Sequence, residues 1–460
     1  MLKKLKALIP DRKYNRHFLL ICYCFIILNC GAIFYGWKGF IGLLYKAGSF
    51  EDSCSDSNGK TVIKINDNAY LDCNERQFQI SVLSSLAVTA HIMCSPISGL
   101  IMDFFGNKIC YIVGQLFYIL TWILFACFPK NEYVIKASFF IMGFFSEAQA
   151  MPLISIGKLY PENEFLVISI IGTVRSLSFV IPIILDRIFS LSYFESSDLY
   201  IICIIYIFVS VVPSLIIGII TVPWSIKTVQ EIEDAENITE ETPKLTFKEK
   251  YHKMLQFLYM VIKHPALIEC ILACGCVFTQ MARVDILNKA QMKLFTTTDG
   301  SSASDAVAYL TILAFIPCPM FGFISDKYGP PTAFLILQFF SSISIIFLVF
   351  DNIITKYISA LGYFFSASFF ISSVYSFINW RFDKELFGRI SGVVFVVVGS
   401  LLMTNIIWMK MATSDVFNLG ARSYDAISYI CISHCIIGMA CAIVLYYITK
   451  KSKPLEITES

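Results

Sequence analysis

Twelve long apolar runs divide this chain of 460 residues and restrict the folds that it can adopt. Hydrophobic residues make up 57% of the sequence and charged residues only 15%, whereas a soluble domain carries about a quarter charged residues. A helix needs about 20 apolar residues to cross a bilayer core. Because an open sheet leaves backbone groups unpaired in hydrocarbon, we expect an all-α membrane protein with twelve transmembrane helices. The runs cover 18–46, 78–102, 109–128, 133–156, 164–188, 198–222, 266–290, 304–324, 332–350, 356–379, 389–411 and 425–448.

A short motif occurs twice, at equivalent places between apolar runs. Both copies have the spacing Gly-x3-Asp-x2-Gly, and their aspartates, Asp103 and Asp326, lie 223 residues apart. The glycines permit close helix packing and a tight turn, and a carboxylate at a helix end can meet a helix N-terminus when that side closes. We expect a gate here; the alternative is a pair of turns without a mechanical role. The gate residues are Gly99, Asp103, Gly106, Lys108, Gly322, Asp326, Lys327 and Gly329, together with Arg389.

The repeat divides the chain into two similar halves. A second echo supports the duplication, because the loops containing Tyr160 and Phe382 are alike and lie 222 residues apart. Two six-helix halves related by an axis along the membrane normal are typical of a large class of carriers. We expect a tail at 1–17, an N-terminal half at 18–222, a charged linker at 223–265, a C-terminal half at 266–448 and a tail at 449–460.

The positions of Lys and Arg predict the orientation, because cytoplasmic loops carry an excess of them. With the N-terminus inside, the basic N-terminal tail, the 223–265 linker, both motif copies and the C-terminus lie in the cytoplasm. No basic block suggests nucleic acid, and the chain contains no ATP-binding loop, metal-binding His pair or nucleophile motif. We therefore expect no enzymatic activity, no metal and no cofactor.

Two cysteines, Cys54 and Cys73, lie in the polar loop between the first two runs, and the others lie within or at the ends of apolar runs. In the predicted orientation this loop is external, where disulfides persist. We predict a bond that closes a loop of about 20 residues and contributes roughly 3 kcal/mol in the chain-entropy model. The alternative is two free thiols.

The repeated motif resembles the signature of the major facilitator superfamily, which lies between the second and third and between the eighth and ninth helices. The first copy has Phe104 where the family usually has a base, and in the second copy Pro330 and Pro331 replace the trailing bases. The resemblance implies the twelve-helix fold of that family. The departures put the strength of the inner gate in question.

Further motifs, in order along the chain, indicate a branch of that superfamily. They are Phe34-Tyr35-Gly36-Trp37-Lys38-Gly39, Cys73-x3-Gln77, Thr279-Gln280-x2-Arg283, Cys318-Pro319 and Phe387-Gly388-Arg389-x2-Gly392. This order resembles the sodium-independent large-neutral amino-acid facilitators and the related apicomplexan amino-acid transporters. The resemblance implies carriage of free amino acids across a plasma membrane, by facilitated diffusion or exchange. Where Glu147 falls, the neutral-substrate relatives look uncharged, which suggests a cationic amino acid.

Two ionisable residues, Glu147 and Arg175, fall near the middle of the fourth and fifth runs, about 14 and 17 Å from their inner ends. An intramembrane charge is a functional hypothesis by default, because its burial costs several kcal/mol. In a structural interpretation the two residues neutralise each other. In a functional one, Arg175 binds the substrate carboxylate and Glu147 binds its amino group or a cationic side chain. A proton-coupling role for Glu147 is a third alternative.

Other polar residues in the apolar runs complete the candidate substrate site. The seventh run offers Gln280, Arg283 and Asn288, with Asp285 two residues from Arg283 and so on another face. The first run offers Asn29 and the flexible Gly36, and the tenth offers the hydroxyl residues Ser366, Ser368, Ser372, Ser373 and Tyr375. For Gly36 and the serines, a role in helix packing is the alternative to substrate binding. For His91 and His434, a satisfied core histidine is the favoured interpretation.

We therefore expect a monomeric amino-acid facilitator of the plasma membrane that works by alternating access as a uniporter or exchanger. Its partners are the bilayer and a small-molecule substrate, with cationic amino acids as the finer hypothesis. Two alternatives stay open. One is another solute on the same fold, such as a nucleoside, vitamin or organic anion, and the other is a nutrient receptor that binds without transporting.

Overall fold

The computed structural model describes residues 14–54, 61–65, 68–160, 164–224, 267–382, 387–413 and 423–450. Their helices fall into twelve segments, here called spans 1 to 12 in chain order, that match the apolar runs. Spans 1 to 6 contain the helices Arg16–Cys30, Ile33–Tyr35 and Trp37–Lys46 (span 1), Asn74–Met93 and Ser95–Phe105 (span 2), Asn107–Cys127 (span 3), Glu132–Phe144 and Ser146–Ile154 (span 4), Glu164–Leu177 and Val180–Phe189 (span 5), and Leu199–Tyr206 and Val212–Thr221 (span 6).

The second half repeats this plan. Spans 7 to 12 contain the helices Leu267–Leu294 (span 7), Ser304–Leu313 and Cys318–Tyr328 (span 8), Pro330–Leu348 (span 9), Ile353–Ser368 and Phe370–Arg381 (span 10), Phe387–Leu402 and Thr404–Thr413 (span 11), and Ser423–Lys450 (span 12). The prediction of an all-α membrane protein is confirmed. The charged linker and both tails lie outside the described residues, so the predicted domain boundaries stay a prediction.

Several spans are interrupted near their midpoints. Within the described residues, eight helices are long and apolar enough to cross a bilayer, and span 2 makes a ninth when its two helices, bent by 42°, are joined. Spans 1, 8 and 10 consist of shorter helices. Proline accounts for part of this pattern, since a ring without an N–H frees a carbonyl one turn earlier. Pro96 and Pro319, for example, lie in the first turn of the helices that follow the breaks in spans 2 and 8.

Glycines in span 1 allow its backbone to lie directly on span 5. A Cβ atom added at Gly36 would overlap the backbone of Phe179, and one added at Gly39 would overlap the backbone of Pro182. Small residues at a helix contact let two backbones approach closely in a membrane. Span 1 and the second helix of span 5, Val180–Phe189, are therefore packed as one unit.

The loop between spans 1 and 2 is fastened by the predicted disulfide. Cys54 and Cys73 are bonded with a Cα–Cα distance of 5.7 Å, which confirms that prediction. Between them, strand β1 (Thr61–Ile65) pairs antiparallel with strand β2 (Asn68–Asp72). We call the end of the bundle that carries this loop the disulfide side, and the opposite end the motif side.

Both motif copies make the same turn. Gly106 and Gly329 have φ angles of 88° and 86°, in the region that favours glycine, and each lies between two helices. A Cβ atom at Gly322 would meet Ser169 of span 5 at 2.9 Å, as close packing requires. At Gly99 nothing lies within 4 Å of that position, so close packing does not explain this glycine here.

Among the charged residues of the predicted gate, the structure describes the side chains of Lys108 and Lys327. The side chains of Asp103, Asp326 and Arg389 lie outside the described residues. Lys108 is buried and lies 6.0 Å from the Trp224 ring, and Lys327 lies over aromatic rings of its own helix. The gate stays a prediction.

We predict that Gly39→Ala lowers the stability of the protein, since its methyl group would overlap the Pro182 backbone. Gly99→Ala is the matched control, because its methyl group enters open space and helical alanine is favoured by about 0.5–1 kcal/mol. Thermal unfolding in detergent, followed by size-exclusion chromatography, measures both. Equal melting temperatures for the two variants would contradict the packing of span 1 on span 5.

Candidate functional site

Glu147 and Arg175 form a buried ion pair where their spans are interrupted. Glu147 lies two residues after the break in span 4, and Arg175 lies three residues before the break in span 5. The Nη2 atom of Arg175 donates to Oε1 of Glu147 at 2.7 Å, and the two residues are 6% and 1% exposed. The sequence placed them at similar depth on neighbouring helices, and the structure brings them into contact.

His91 of span 2 completes this pair, so that three titratable side chains meet at one point. Its Nε2 atom lies 2.5 Å from Oε1 of Glu147 and 2.9 Å from Nη2 of Arg175. One nitrogen cannot both donate to the carboxylate and accept from the guanidinium. A neutral ring with its proton on Nε2 satisfies Glu147, and the net charge of the three groups is then zero. We call these three residues the central triad.

Two tyrosines connect the triad to other spans. The Tyr35 hydroxyl of span 1 lies 3.3 Å from Nδ1 of His91, as fits donation to the unprotonated nitrogen. The Tyr375 hydroxyl of span 10 donates to Oε2 of Glu147 at 3.4 Å. Because Tyr375 belongs to the C-terminal half and the triad to the N-terminal half, this contact joins the two halves.

A second buried ion pair lies in span 7, nearer the disulfide side. Asp285 and Lys289, one turn apart, form an ion pair, and the Nδ2 atom of Asn405 donates to Oδ2 of Asp285 at 2.8 Å. The Lys289 ammonium also donates to the Ser85 hydroxyl of span 2 at 2.6 Å. This pair therefore also lies at the contact between the halves.

The other candidates in span 7 are dispersed. Gln280 donates to the carbonyl of Ser366, and Asn288 accepts from the Tyr363 hydroxyl at 2.8 Å, so both face span 10. Arg283 donates to Gln338 of span 9, on the far side of span 7 from Asp285. The structure does not bring Arg283 to the central triad.

The remaining candidates make local contacts. Asn29 donates to the carbonyl of Phe25 one turn earlier, and Ser368 donates to that of Phe365. Gly36 packs directly against the backbone of Phe179 in span 5, so its role in this structure is in helix packing. The side chain of Ser372 lies outside the described residues.

Sequence reasoning missed the roles of three residues in this region. His91 was assigned to the core as a satisfied histidine, and its depth alone gave no sign of two charged partners. Tyr35 was not a candidate, because aromatic residues are common in apolar helices, and Tyr375 was one of the hydroxyl residues of the tenth run without a named partner. The combination of three ionisable residues at similar depth in separate apolar runs is the signal that could have found this cluster.

Among the described residues, no group of three His, Cys, Asp or Glu side chains is arranged to hold a metal ion. The central triad contains only one carboxylate and one imidazole, together with a guanidinium that repels cations. Its chemistry suits the binding of a small charged molecule.

A membrane bundle with two similar halves and a polar cluster at their contact defines a carrier rather than an enzyme. The model of the Major Facilitator Superfamily matches residues 70–404. The chain belongs to this superfamily.

Several characterised proteins are similar over most of their length. Arginine transporter 1 of Toxoplasma gondii is 22% identical, with 87% of this chain and 86% of the relative covered. Cationic amino acid transporter 8 of Plasmodium berghei is 21% identical, with 82% and 79% covered. Aromatic and large neutral amino acid transporter 5-3 of Toxoplasma gondii is 22% identical, with 84% and 76% covered.

Solved structures of other transporters have a fold similar to that of this chain. The nucleoside transporter NupG has a TM-score of 0.56 at 12% identity, with 93% of this chain and 99% of that chain covered. The human organic anion transporter MFSD10 has a TM-score of 0.59 at 11% identity, with 94% and 100% covered. At these identities the similarity concerns the fold alone.

We predict that Glu147→Gln and Arg175→Gln each destabilise the protein by about 3–5 kcal/mol, because each leaves its partner charged and unpaired in the interior. The double variant removes both charges and should be more stable than either single variant. Thermal unfolding of the purified variants measures the coupling. Additive losses would contradict a direct pair.

The control for this cycle is Glu132→Gln, which breaks a partly exposed ion pair with Lys136 on the surface of span 4. Surface pairs of this kind contribute about 0–1 kcal/mol. If Glu132→Gln lowered the stability as much as Glu147→Gln, burial of the charge would not be the cause of the destabilisation.

Proposed function

We propose that this protein carries free amino acids across a membrane by alternating access, with the central triad as the binding site for their charged ends. The observation that carries the proposal is the buried contact of Glu147 with Arg175 at the breaks of spans 4 and 5. Glu147 is complementary to an ammonium group and Arg175 to a carboxylate. A free amino acid presents both groups on neighbouring atoms.

Charge balance favours a zwitterion at this position. The triad is neutral when His91 is neutral, and a zwitterionic backbone adds no net charge to the interior. When the substrate ammonium replaces Arg175 on Glu147, its carboxylate can pair with the released guanidinium. One buried pair is then exchanged for two, which avoids leaving a single charge unpaired in the membrane.

The halves have to respond to the substrate for transport to occur. Tyr375 links the C-terminal half to Glu147, so a ligand that displaces this hydroxyl changes a contact between the halves. A ligand shifts a conformational equilibrium only when it contacts the two states differently. The proposed sequence of events is substrate entry, replacement of the pair and the Tyr375 contact, and rocking of the halves about the site.

The relatives support this class of substrate. Their names specify arginine, cationic amino acids, and aromatic and large neutral amino acids. We propose a preference for cationic amino acids, and transport as a uniporter or exchanger, since the sequence contains no ATP-binding loop. We also propose a monomer in the plasma membrane with both termini, and so the motif side, in the cytoplasm.

The decisive experiment is uptake of radiolabelled amino acids into proteoliposomes that contain the purified protein. We predict saturable uptake of at least one cationic amino acid, and counterflow when the vesicles are preloaded with unlabelled substrate. Proteoliposomes that contain the double variant Glu147→Gln/Arg175→Gln should show no uptake and no counterflow. No uptake and no competition by any of the twenty amino acids would overturn the proposal in favour of another solute. Binding without flux would favour a receptor.

A further inference from the structure

Asp285 has an acceptor that no described residue uses. Its Oδ2 atom accepts from Asn405 and pairs with Lys289, whereas its Oδ1 atom is buried without a hydrogen-bond partner in the described part of the chain. Asp285 itself is 4% exposed. A buried carboxylate oxygen without a partner is unfavourable unless something fills it, so this atom marks a place for a donor.

Glu147 offers no such place. Its Oε1 atom already contacts both His91 and Arg175, and its Oε2 atom accepts from Tyr375. If Glu147 binds the α-ammonium group of the substrate, both of its carboxylate oxygens already accept hydrogen bonds. A cationic side chain on the same substrate needs a second carboxylate, and Asp285 is a buried carboxylate whose partner Lys289 contacts Ser85 in the other half.

The two sites are connected through span 2. Lys289 contacts Ser85, which is six residues from His91 on the same helix, or about 9 Å along its axis. We expect an extended lysine or arginine substrate to span a separation of this order.

The protein itself supplies a cation at this point. The Lys289 ammonium occupies Oδ2 of Asp285, in the same chemical role that a lysine substrate's side chain would play. Lys289 also ties span 7 to Ser85 in the other half. A substrate cation at Asp285 would compete with Lys289, and so would act on a contact between the halves.

We propose that Asp285 is the side-chain subsite for basic amino acids, where it binds the guanidinium or ammonium group of the substrate in competition with Lys289. This inference rests on the proposed function, because it assigns the other end of the same substrate. The α-ammonium and α-carboxylate groups of the substrate bind the central triad, which therefore selects amino acids as a class. Asp285 sets the preference for a positive side chain.

The test compares uptake of arginine and leucine by wild type and three variants in proteoliposomes. Asp285→Asn/Lys289→Gln keeps the interior neutral and should lower the arginine-to-leucine ratio of kcat/KM about 30-fold, as expected when one partner of a buried charge pair is removed. Asp285→Asn alone should lower the same ratio. Lys289→Gln frees the carboxylate and should raise it.

The opposite signs separate a subsite from general damage. A ratio that is unchanged in the double variant, or that moves the same way in Asp285→Asn and Lys289→Gln, would overturn the subsite while leaving amino-acid transport intact. Absence of any amino-acid flux in wild type would instead overturn the proposed function.

The matched control is the double variant Glu269→Gln/Arg381→Gln. These residues form another buried ion pair in the C-terminal half, at the motif-side ends of spans 7 and 10, with 2.5 Å between Nε of Arg381 and Oε2 of Glu269. Its neutralisation should leave the arginine-to-leucine ratio unchanged. A fall in the ratio equal to that of the Asp285 double variant would contradict a local role for Asp285.

Discussion

The cost of holding charge inside a membrane governs this structure. A single carboxylate at the depth of Glu147 is unfavourable by several kcal/mol, and Arg175 makes its burial tolerable only through direct contact. That contact lies beside the breaks in spans 4 and 5, and His91 and Tyr375 belong to the same cluster. The breaks, the polar cluster and the contact between the halves therefore form one connected arrangement.

The two buried ion pairs at the contact between the halves come from different halves. The central triad is built from spans 2, 4 and 5 of one half, whereas Asp285 and Lys289 both lie on span 7 of the other. Hydrogen bonds from Tyr375 to Glu147 and from Lys289 to Ser85 connect each cluster to the opposite half. A substrate bound as we propose would contact both halves at once.

The membrane class, the repeat and the disulfide were predictable because each depends on local sequence. Apolar length predicted the spans, equal spacing predicted the halves, and polar surroundings singled out Cys54 and Cys73. The partners of a side chain depend on helix rotation, which sequence alone leaves open. Thus Arg283, a candidate at the right depth, faces Gln338 instead of the central triad, while His91 joins the triad.

The glycine contact between spans 1 and 5 makes the molecule mechanically asymmetric. Tyr35 lies beside Gly36, and Arg175 lies just before the segment of span 5 that Gly36 and Gly39 touch, so the spacing of Tyr35 and Arg175 is set by backbone against backbone. Span 7, the counterpart of span 1, is one continuous helix. In the transport cycle that we propose, this fixed backbone spacing would be kept while the side chains of the central triad exchange partners.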